Sequence, residues 1–571
     1  MIKNLNFINN ILKIWKVFDL EKRKKSIYVV FFSFINTLLD LLGLGLFIPL
    51  ILIVFQDENI INNPYLSPIY NFFSFGSDIN FIFVFGILIM FTIVCKNFFS
   101  LWIQKFQLNF SFSIFKYVSQ RLFKYYLNSK NLFLDDETGS KITREIYITS
   151  IHFTEFLIVS IITLVNEFVI IFTIFILLLI YNPFVILILL FSIVPIAIVF
   201  YKKYNSILKS TGKRENDFRN EINSTLYDTI YGLPEIQIFQ ASSFFYEKYN
   251  FLLENFIREK VKIFLVRLSP TKILEIIVFF GILVIILSGL FFDLSKSSIL
   301  TLLSIYSLAA FRLLPSFNRV TLAVINLKTY DYTLKILDKI NPICGTINKS
   351  LKNTSPFQNF KISKISYKYP NTSKYLFENF SLEISKGDLI GISGESGSGK
   401  STLIKIIAGL LKPNSGEIYY NNEICNDDLI NLWQHKIGYV RQNVFVYNSS
   451  IKNNIAFGVD EQYIDYDKLD IALKFSNLDE FISSNEFGIE YNIGENGSKL
   501  SGGQIQRVGI ARAIYFDSEI ILFDEPMSSL DDVTQIKITK TISELAKKDF
   551  TIIISSHQKQ IFKYCNKKIM V

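Results

Sequence analysis

Gly394-Glu395-Ser396-Gly397-Ser398-Gly399-Lys400-Ser401 decides the fold of the C-terminal part of this chain. It follows the strand-like run Leu389-Ile390-Gly391-Ile392 and fits G-x-x-x-x-G-K-[ST], a glycine-rich loop between a strand and a helix. Glycines let the backbone curl so that its N–H groups face phosphate oxygens, and the helix beginning near Ser401 turns its positive end the same way. The motif puts Lys400 against the β- and γ-phosphates of ATP and the Ser401 hydroxyl on Mg2+, with Thr402 next along the helix.

Outward from this loop, from about residue 355, apolar runs of strand length alternate with helix-length segments, the pattern of an α/β domain. Ile520-Ile521-Leu522-Phe523 reads as a buried strand that ends in Asp524-Glu525. An acid at such a strand end reaches the Mg2+ shell, and the next carboxylate polarises the water that attacks the γ-phosphate. Asp524 is therefore assigned to the metal and Glu525 to general base.

The N-terminal part is of another kind. Half of the 571 residues are hydrophobic and only 19% are charged, too apolar for one soluble globule of this size and incompatible with disorder. Six apolar stretches, at 27–55, 79–103, 157–180, 184–201, 273–292 and 299–320, are each long enough to cross a bilayer as a helix. The first follows Lys22, Arg23, Lys24 and Lys25 and has no small-residue cleavage site, so it reads as an uncleaved membrane helix. Tyr181-Asn182-Pro183 is a tight turn between the third and fourth.

Charge orients these spans. The short gaps are acidic or neutral, with Asp57, Glu58 and Asp78 in the first and Asp293 with Lys296 in the last. The N-terminal segment carries Lys3, Lys13, Lys16 and the 22–25 cluster, and the long gap after the second span carries Lys116, Arg121, Lys124, Lys130, Lys141 and Arg144. By the positive-inside rule the N-terminus, both long gaps (104–156 and 202–272) and the C-terminus are cytoplasmic. The net charge of +9 is thus a membrane signature rather than a nucleic-acid one. The expected architecture is a six-span α-helical membrane domain over 1–325 with long cytoplasmic extensions, a linker over 326–354, and an α/β P-loop ATPase over 355–571. The tips of the extensions, near 134–145 and 223–235, are expected to dock onto that ATPase.

Cys95, Cys344, Cys425 and Cys565 are scattered, with neither a C-x-x-C nor a nearby histidine, so no disulfide framework or zinc site is indicated. His435 reads as a surface residue and His152 as a helix residue near the membrane face.

Between loop and Asp-Glu strand, Leu500-Ser501-Gly502-Gly503-Gln504, followed by Gln506 and Arg507, resembles the signature of ATP-binding cassette (ABC) proteins. Other elements stand in family order. Tyr369 before Pro370 resembles the adenine-stacking aromatic, Gln442 the loop glutamine that senses the γ-phosphate and joins the Mg2+ shell, Ser528-Ser529-Leu530-Asp531 the dimer-contact loop, and His557 the switch histidine. The resemblance implies that the signature of one cassette closes over ATP held by another, and since one chain carries one cassette, that two copies form a homodimer with two hydrolytic sites.

The whole chain is similar to ABC exporters, and Gly494-Glu495 looks like the cross-contact loop of that class. It departs from the family at Pro526-Met527, where Ala-Thr is common. It also stops at Val571, short of a further strand and terminal helices, which leaves a minimal cassette and a truncated one both open. The aromatic stretch 64–73, Lys272 after Pro270, and the segment 311–319 resemble bacterial flippases of lipid-linked oligosaccharides and polysaccharide exporters. Charges at membrane depth are costly, about 2.5–3.5 kcal/mol each on insertion scales. Lys96, Lys272, Arg312 and Arg319 are accordingly the candidate grip for a pyrophosphate whose lipid tail stays in the bilayer, with snorkelling lysines and structural arginines as the alternative. The expectation is an ATP-driven outward exporter of a polyprenyl-pyrophosphate-linked oligosaccharide in a bacterial inner membrane. A lipid, drug or peptidase-less peptide exporter and an ATP-gated channel are the other readings.

Overall fold

The computed structural model describes residues 12–16, 18–45, 78–128, 139–181, 210–293, 296–340, 356–370, 372–395, 397–527, 530–548, 550–558 and 560–571. The chain divides into two compact units, with the main division between residues 344 and 345.

The first unit is helical. Its principal elements are α1 (Leu20–Gly45), α2 (Asp78–Asn128), α3 (Val159–Tyr181), α4 (Ser242–Phe291) and α5 (Lys296–Thr329). At 1.5 Å per residue, the 51 residues of α2 and the 50 of α4 extend roughly 75 Å, more than twice a hydrocarbon core. Along α4 one stripe, running through Ile263, Val266, Leu274, Ile277 and Ile285, is buried in the unit, while apolar residues also cover the outward faces of both helices. Phe91 and Phe279 remain 67% and 73% exposed, a surface that suits lipid rather than water.

Pro270 sits inside α4, where it removes the N–H that would bond the Val266 carbonyl. The Ser269 hydroxyl donates to that carbonyl at 3.0 Å, which restores the missing partner. Gly281 of α4 leaves room for Tyr306 of α5, whose hydroxyl lies 1.8 Å from where a Cβ would stand. Polar contacts also cross the unit: Gln107 of α2 donates to Ser33 of α1 at 2.9 Å.

Among the described residues, four helical stretches are long and apolar enough to cross a membrane: Asn80–Asn128, Lys141–Ile180, Ser242–Phe291 and Leu302–Thr329. The expected count of six is therefore seen only in part. The expected first span begins in α1, but its second half runs past residue 45 and outside the described residues, as does the whole of 184–201.

The second unit has two sheets. β1 (Asn359–Tyr367), β2 (Phe377–Ser385), β4 (Ser415–Tyr420) and β5 (Glu423–Ile424) form an antiparallel sheet in the order β2-β1-β4-β5. β3 (Leu389–Ser393), β6 (Ile437–Val440), β7 (Ile520–Asp524), β8 (Thr551–Ser555) and β9 (Lys567–Met570) form a parallel sheet in the order β6-β7-β8-β3-β9. Every residue of β7 and β8 is buried, which is why they read as continuous apolar runs rather than alternating ones. Each fully buried isoleucine there contributes about 1.5–3 kcal/mol. Helices α6 (Lys400–Ile407), α7 (Asp427–His435), α8 (Gly502–Tyr515) and α9 (Asp532–Ala546) belong to the same unit.

Candidate functional site

In parallel sheets, ligands bind beyond the carboxyl ends of the strands. Here β3 delivers the glycine-rich loop, β7 ends on Asp524, and β8 ends on Ser555, paired in register with Asp524. The central sheet thus brings together at the carboxyl ends of its strands groups as distant in sequence as Ser401 and Asp524, 123 residues apart.

The loop from Gly394 to Gly399 needs its glycines. Gly399 has φ +107°, and a Cβ there would lie 2.8 Å from Leu376. Ser398 Oγ is buried with no hydrogen-bond partner. Lys400 is 4% exposed and donates Nζ to the carbonyls of Gly394 at 3.0 Å and Glu395 at 2.9 Å. A buried ammonium folded onto its own loop and an unsatisfied hydroxyl in the same loop fit a polyphosphate, which offers acceptors to both. Ser396 lies outside the described residues.

Beside the loop is a set of oxygen donors. Ser401 Oγ donates to Asp524 Oδ1 at 2.9 Å, Ser555 Oγ donates to the same oxygen at 3.1 Å, and the Tyr439 hydroxyl donates to Oδ2 at 3.3 Å. Asp524 is only 6% exposed, so these bonds hold its charge in place. Burial and the Asp524 charge push the Tyr439 phenol above its ordinary range, which keeps it a donor. Hard oxygen ligands of this kind suit Mg2+. Gln442, the other expected ligand, follows β6 on an exposed stretch.

Glu525 takes φ +49°, a left-handed conformation that side chains other than glycine seldom adopt. The strain is offset by its backbone N–H, which donates to Ser555 Oγ at 3.0 Å. Its Oε1 lies 3.1 Å from His557 Nε2 and 3.7 Å from Lys400 Nζ. The sheet therefore gathers Lys400, Ser401, Asp524, Glu525 and His557 side by side.

Tyr369 stands beside them through its hydroxyl, 2.9 Å from Thr402 Oγ1. The signature residues form a separate group. Ser501 caps α8 reciprocally: it accepts from Gln504 N at 3.3 Å, and Gln504 Oε1 accepts from Ser501 N at 2.8 Å. Gly503 is packed so closely on Thr534 of α9 that a Cβ would come within 2.4 Å. Asp531 caps α9, and hydrogen bonds from the Thr534 hydroxyl and amide hold its carboxyl below the usual range. Ser501, Gly502 and Asp531 are exposed. Ser528 and Ser529 lie outside the described residues.

Sequence reading missed three contributors. Ser555 and Tyr439 orient Asp524, and Gln506 of α8, 7% exposed, donates to the backbone carbonyl of Gln442 at 2.6 Å. On the same helix Arg512 donates to the Phe445 carbonyl at 3.1 Å, so α8 holds both ends of the 442–445 stretch. The Ser555-Ser556-His557 run was the available signal for Ser555, since it follows the buried strand. Nothing local marks Tyr439, and Gln506 is marked only as part of the signature, not as a support for Gln442.

The four membrane cations do not form one group among the described contacts. Arg319 of α5 pairs with Glu167 of α3, which is 5% exposed. Lys272 pairs with Glu275 at 3.3 Å. Arg312 lies seven residues before Arg319, on the same face of α5, and Lys96 is half-buried on α2. His152 Nδ1 lies 3.0 Å from the Tyr332 hydroxyl, and His435 ends α7.

Residues 26–314 match the family described as ABC transporter transmembrane region, and residues 377–528 match ABC transporter. The lactococcin-G-processing and transport ATP-binding protein LagD of Lactococcus lactis is 29% identical over 384 residues, 66% of this chain and 53% of that protein. An ATP-dependent lipid A-core flippase of Vibrio parahaemolyticus is 34% identical over 197 residues, 34% of each chain. The matched regions span about half or less of these relatives. A solved bacterial Atm1-family ABC exporter with ATP bound has the same fold, with a TM-score of 0.70 over 96% of this chain and 93% of that one, at 17% identity.

Proposed function

Because this chain belongs to the ABC transporter family, in which ATP hydrolysis at the cassette is coupled to transport through the membrane region, we propose that it is an ATP-driven exporter acting as a homodimer. The observation that carries this reading is the meeting of Lys400, Ser401, Asp524, Glu525 and His557 at one sheet edge, in a chain whose other unit carries membrane-length helices. The protein is an integral membrane protein; a bacterial inner membrane with both termini cytoplasmic is the orientation proposed from its charge asymmetry.

In this reading Lys400 leaves its two loop carbonyls for the β- and γ-phosphates, and Ser398 supplies a further donor. Ser401, Asp524 and Gln442 would hold Mg2+, which when bound neutralises charge on the phosphate oxygens. Glu525 takes a proton from the attacking water. His557 Nε2, between Lys400 and Glu525, cannot accept from the lysine and donate to the glutamate with one nitrogen. Once Lys400 turns to phosphate, that nitrogen is released to donate, orienting Glu525 or meeting the γ-phosphate. The exposed Ser501–Gln504 cap and Asp531 are surfaces for the opposing cassette. A six-span membrane domain with long cytoplasmic extensions completes the proposed exporter.

For the cargo we propose an amphipathic anion moved outward, in the finer form a polyprenyl-pyrophosphate-linked oligosaccharide. Arg319, still 42% exposed while paired to Glu167, supports an anionic headgroup, since a phosphate can exchange for the carboxylate. The relatives' names, a lipid A-core flippase and a lactococcin G transporter, support lipid and peptide cargo as the alternatives. Reconstitution into vesicles with each candidate, assayed for ATP-dependent flipping beside ATPase activity, tests the proposal. Transport that continues in Glu525→Gln would contradict a pump and favour a channel.

A further inference from the structure

The helical unit holds a cation-rich cavity that none of the transport chemistry uses. It lies at the corner between the short helix of residues 12–16 and the start of α1, has a volume of about 630 Å³, and its charged lining is Lys16, Arg23 and Arg121 with Asp19 and Glu21.

The corner is rigidly built. Ile14 and Phe18 are 5% and 6% exposed and pack with Val29, Phe110 and Ile114. Arg23 donates to the carbonyls of Trp15 at 3.1 Å and Lys16 at 2.8 Å, with its guanidinium 4.9 Å over the Trp15 ring. It thereby closes the end of the short helix.

Charge in this corner is unbalanced. Tyr117 of α2 donates to Asp19 at 2.9 Å, and two cations stand over its ring, Lys22 at 5.0 Å and Arg121 at 4.7 Å from the centroid. Glu21 is taken up by Lys25 at 2.6 Å. Three cations, Lys16, Arg23 and Arg121, thus line the cavity with two acids, Asp19 and the already paired Glu21, and the contact of Asp19 with Arg121 is a loose 3.5 Å. Lys16 has no ion-pair partner among the described residues.

Apolar side chains border the cavity. Trp15 is 43% exposed and Leu20 75%, and the outward residues Ile27 and Tyr28 continue up α1. Tryptophan beside lysine and arginine at the foot of an apolar helix is the arrangement found at a membrane–water interface. A ligand satisfying both features has one negative charge at the corner and hydrocarbon along α1.

We propose that this cavity binds the headgroup of an acidic phospholipid of the surrounding leaflet, with its phosphodiester between Lys16 and Arg121 and its acyl chains against α1. This is a resident lipid site, separate from ATP and from the exported cargo.

The test uses the full chain purified in detergent and offered palmitoyl-oleoyl phosphatidylglycerol or phosphatidylcholine, with retained lipid counted by native mass spectrometry. The wild type should retain the glycerol lipid in preference to the choline lipid. Lys16→Gln and Arg121→Gln should each lower that retention about fivefold, from roughly one surface charge contact apiece. Lys24→Gln, outside the cavity, should not change it, and ATP binding should be intact in all variants. Should Arg121→Gln fail to fold, Lys16→Gln carries the comparison, because Lys16 has no ion pair among the described residues. Equal retention of both lipids, or undiminished retention by Lys16→Gln, overturns the proposal. So does displacement of the lipid by millimolar inorganic phosphate, which would mark a site for soluble anions.

Discussion

Lys400 Nζ lies 3.0 Å from His557 Nε2, although the two residues are 157 apart in sequence. The contact closes a triangle with Glu525, so the residue proposed to grip phosphate and the residue proposed to polarise water share a common neighbour. A nucleotide that draws Lys400 away changes the hydrogen-bond choices of the other two.

Glu525→Gln should abolish turnover while ATP binding remains, because the amide cannot take a proton but leaves the phosphate loop untouched. A drop of about 10²–10⁴-fold in ATPase rate is expected for loss of a general base. Size-exclusion chromatography with ATP should find the variant trapped as a dimer, and near wild-type hydrolysis would remove Glu525 from this role.

Lys400→Ala should weaken nucleotide binding far more than Tyr369→Ala. A charge-assisted contact contributes about 1.5–3 kcal/mol, against roughly 0.5–1.5 kcal/mol for an aromatic contact. Fluorescent-nucleotide titrations measure both, and hydrolysis in the wild type should stop when EDTA removes Mg2+. Equal affinities in the two variants would contradict the site.

Tyr439→Phe and Ser555→Ala should each loosen Asp524 without touching the phosphate loop. The expected signature is a several-fold rise in the Mg2+ concentration needed for half-maximal ATPase, with Mg2+-free nucleotide binding unchanged. Ser555→Ala should cost more, since the same oxygen also accepts from the backbone N–H of the strained Glu525. Loss of nucleotide binding instead would indicate a collapsed loop.

Gln506→Ala should lower the ATPase rate at saturating ATP more than it lowers ATP affinity. Its side chain fixes the Gln442 backbone from α8, so its removal frees the γ-phosphate sensor while Lys400 and Tyr369 keep their places. A change confined to KM would argue against this role.

Glu519, one residue before β7, ties together the segments that lead into β1 and β6, accepting from Phe357 N at 2.7 Å and pairing with Lys436. Burial alone would raise its carboxyl, but the bonds from Lys436 and the Phe357 amide, with nearby lysine charge, hold it below the usual range. A depressed carboxylate contributes stability above its unfolded pKa, and that contribution is lost as pH falls through the folded value. Thermal melts should therefore show the cassette weakening below about pH 4.5, and Glu519→Gln should cost about 2 kcal/mol at neutral pH while flattening that acid dependence. A parallel pH profile in the variant would reject the assignment.

The thiols follow burial in the same way. Cys425 and Cys565 are each pushed up to about 11, chiefly by burial. Maleimide at pH 7 should label them slowly in the folded protein and fully after denaturation; fast native labelling of either would contradict that burial.

By itself the sequence determined the parts whose chemistry is local. A phosphate loop needs glycines, one lysine and one hydroxyl at fixed spacing, so 394–401 was legible without a fold. Membrane helices need long apolar runs, so most of the spans could be read, and Asp524-Glu525 followed from an apolar strand with acids at its end. Tertiary structure alone decided the rest, because those contacts depend on which strands are neighbours. Parallel pairing of β7 with β8 sets Ser555 against Asp524, and pairing of β6 with β7 brings Tyr439 to the same carboxylate. The fate of the membrane charges was settled likewise: a sequence shows that Arg319 is costly in lipid, but only helix packing reveals that Glu167, 152 residues earlier, meets it.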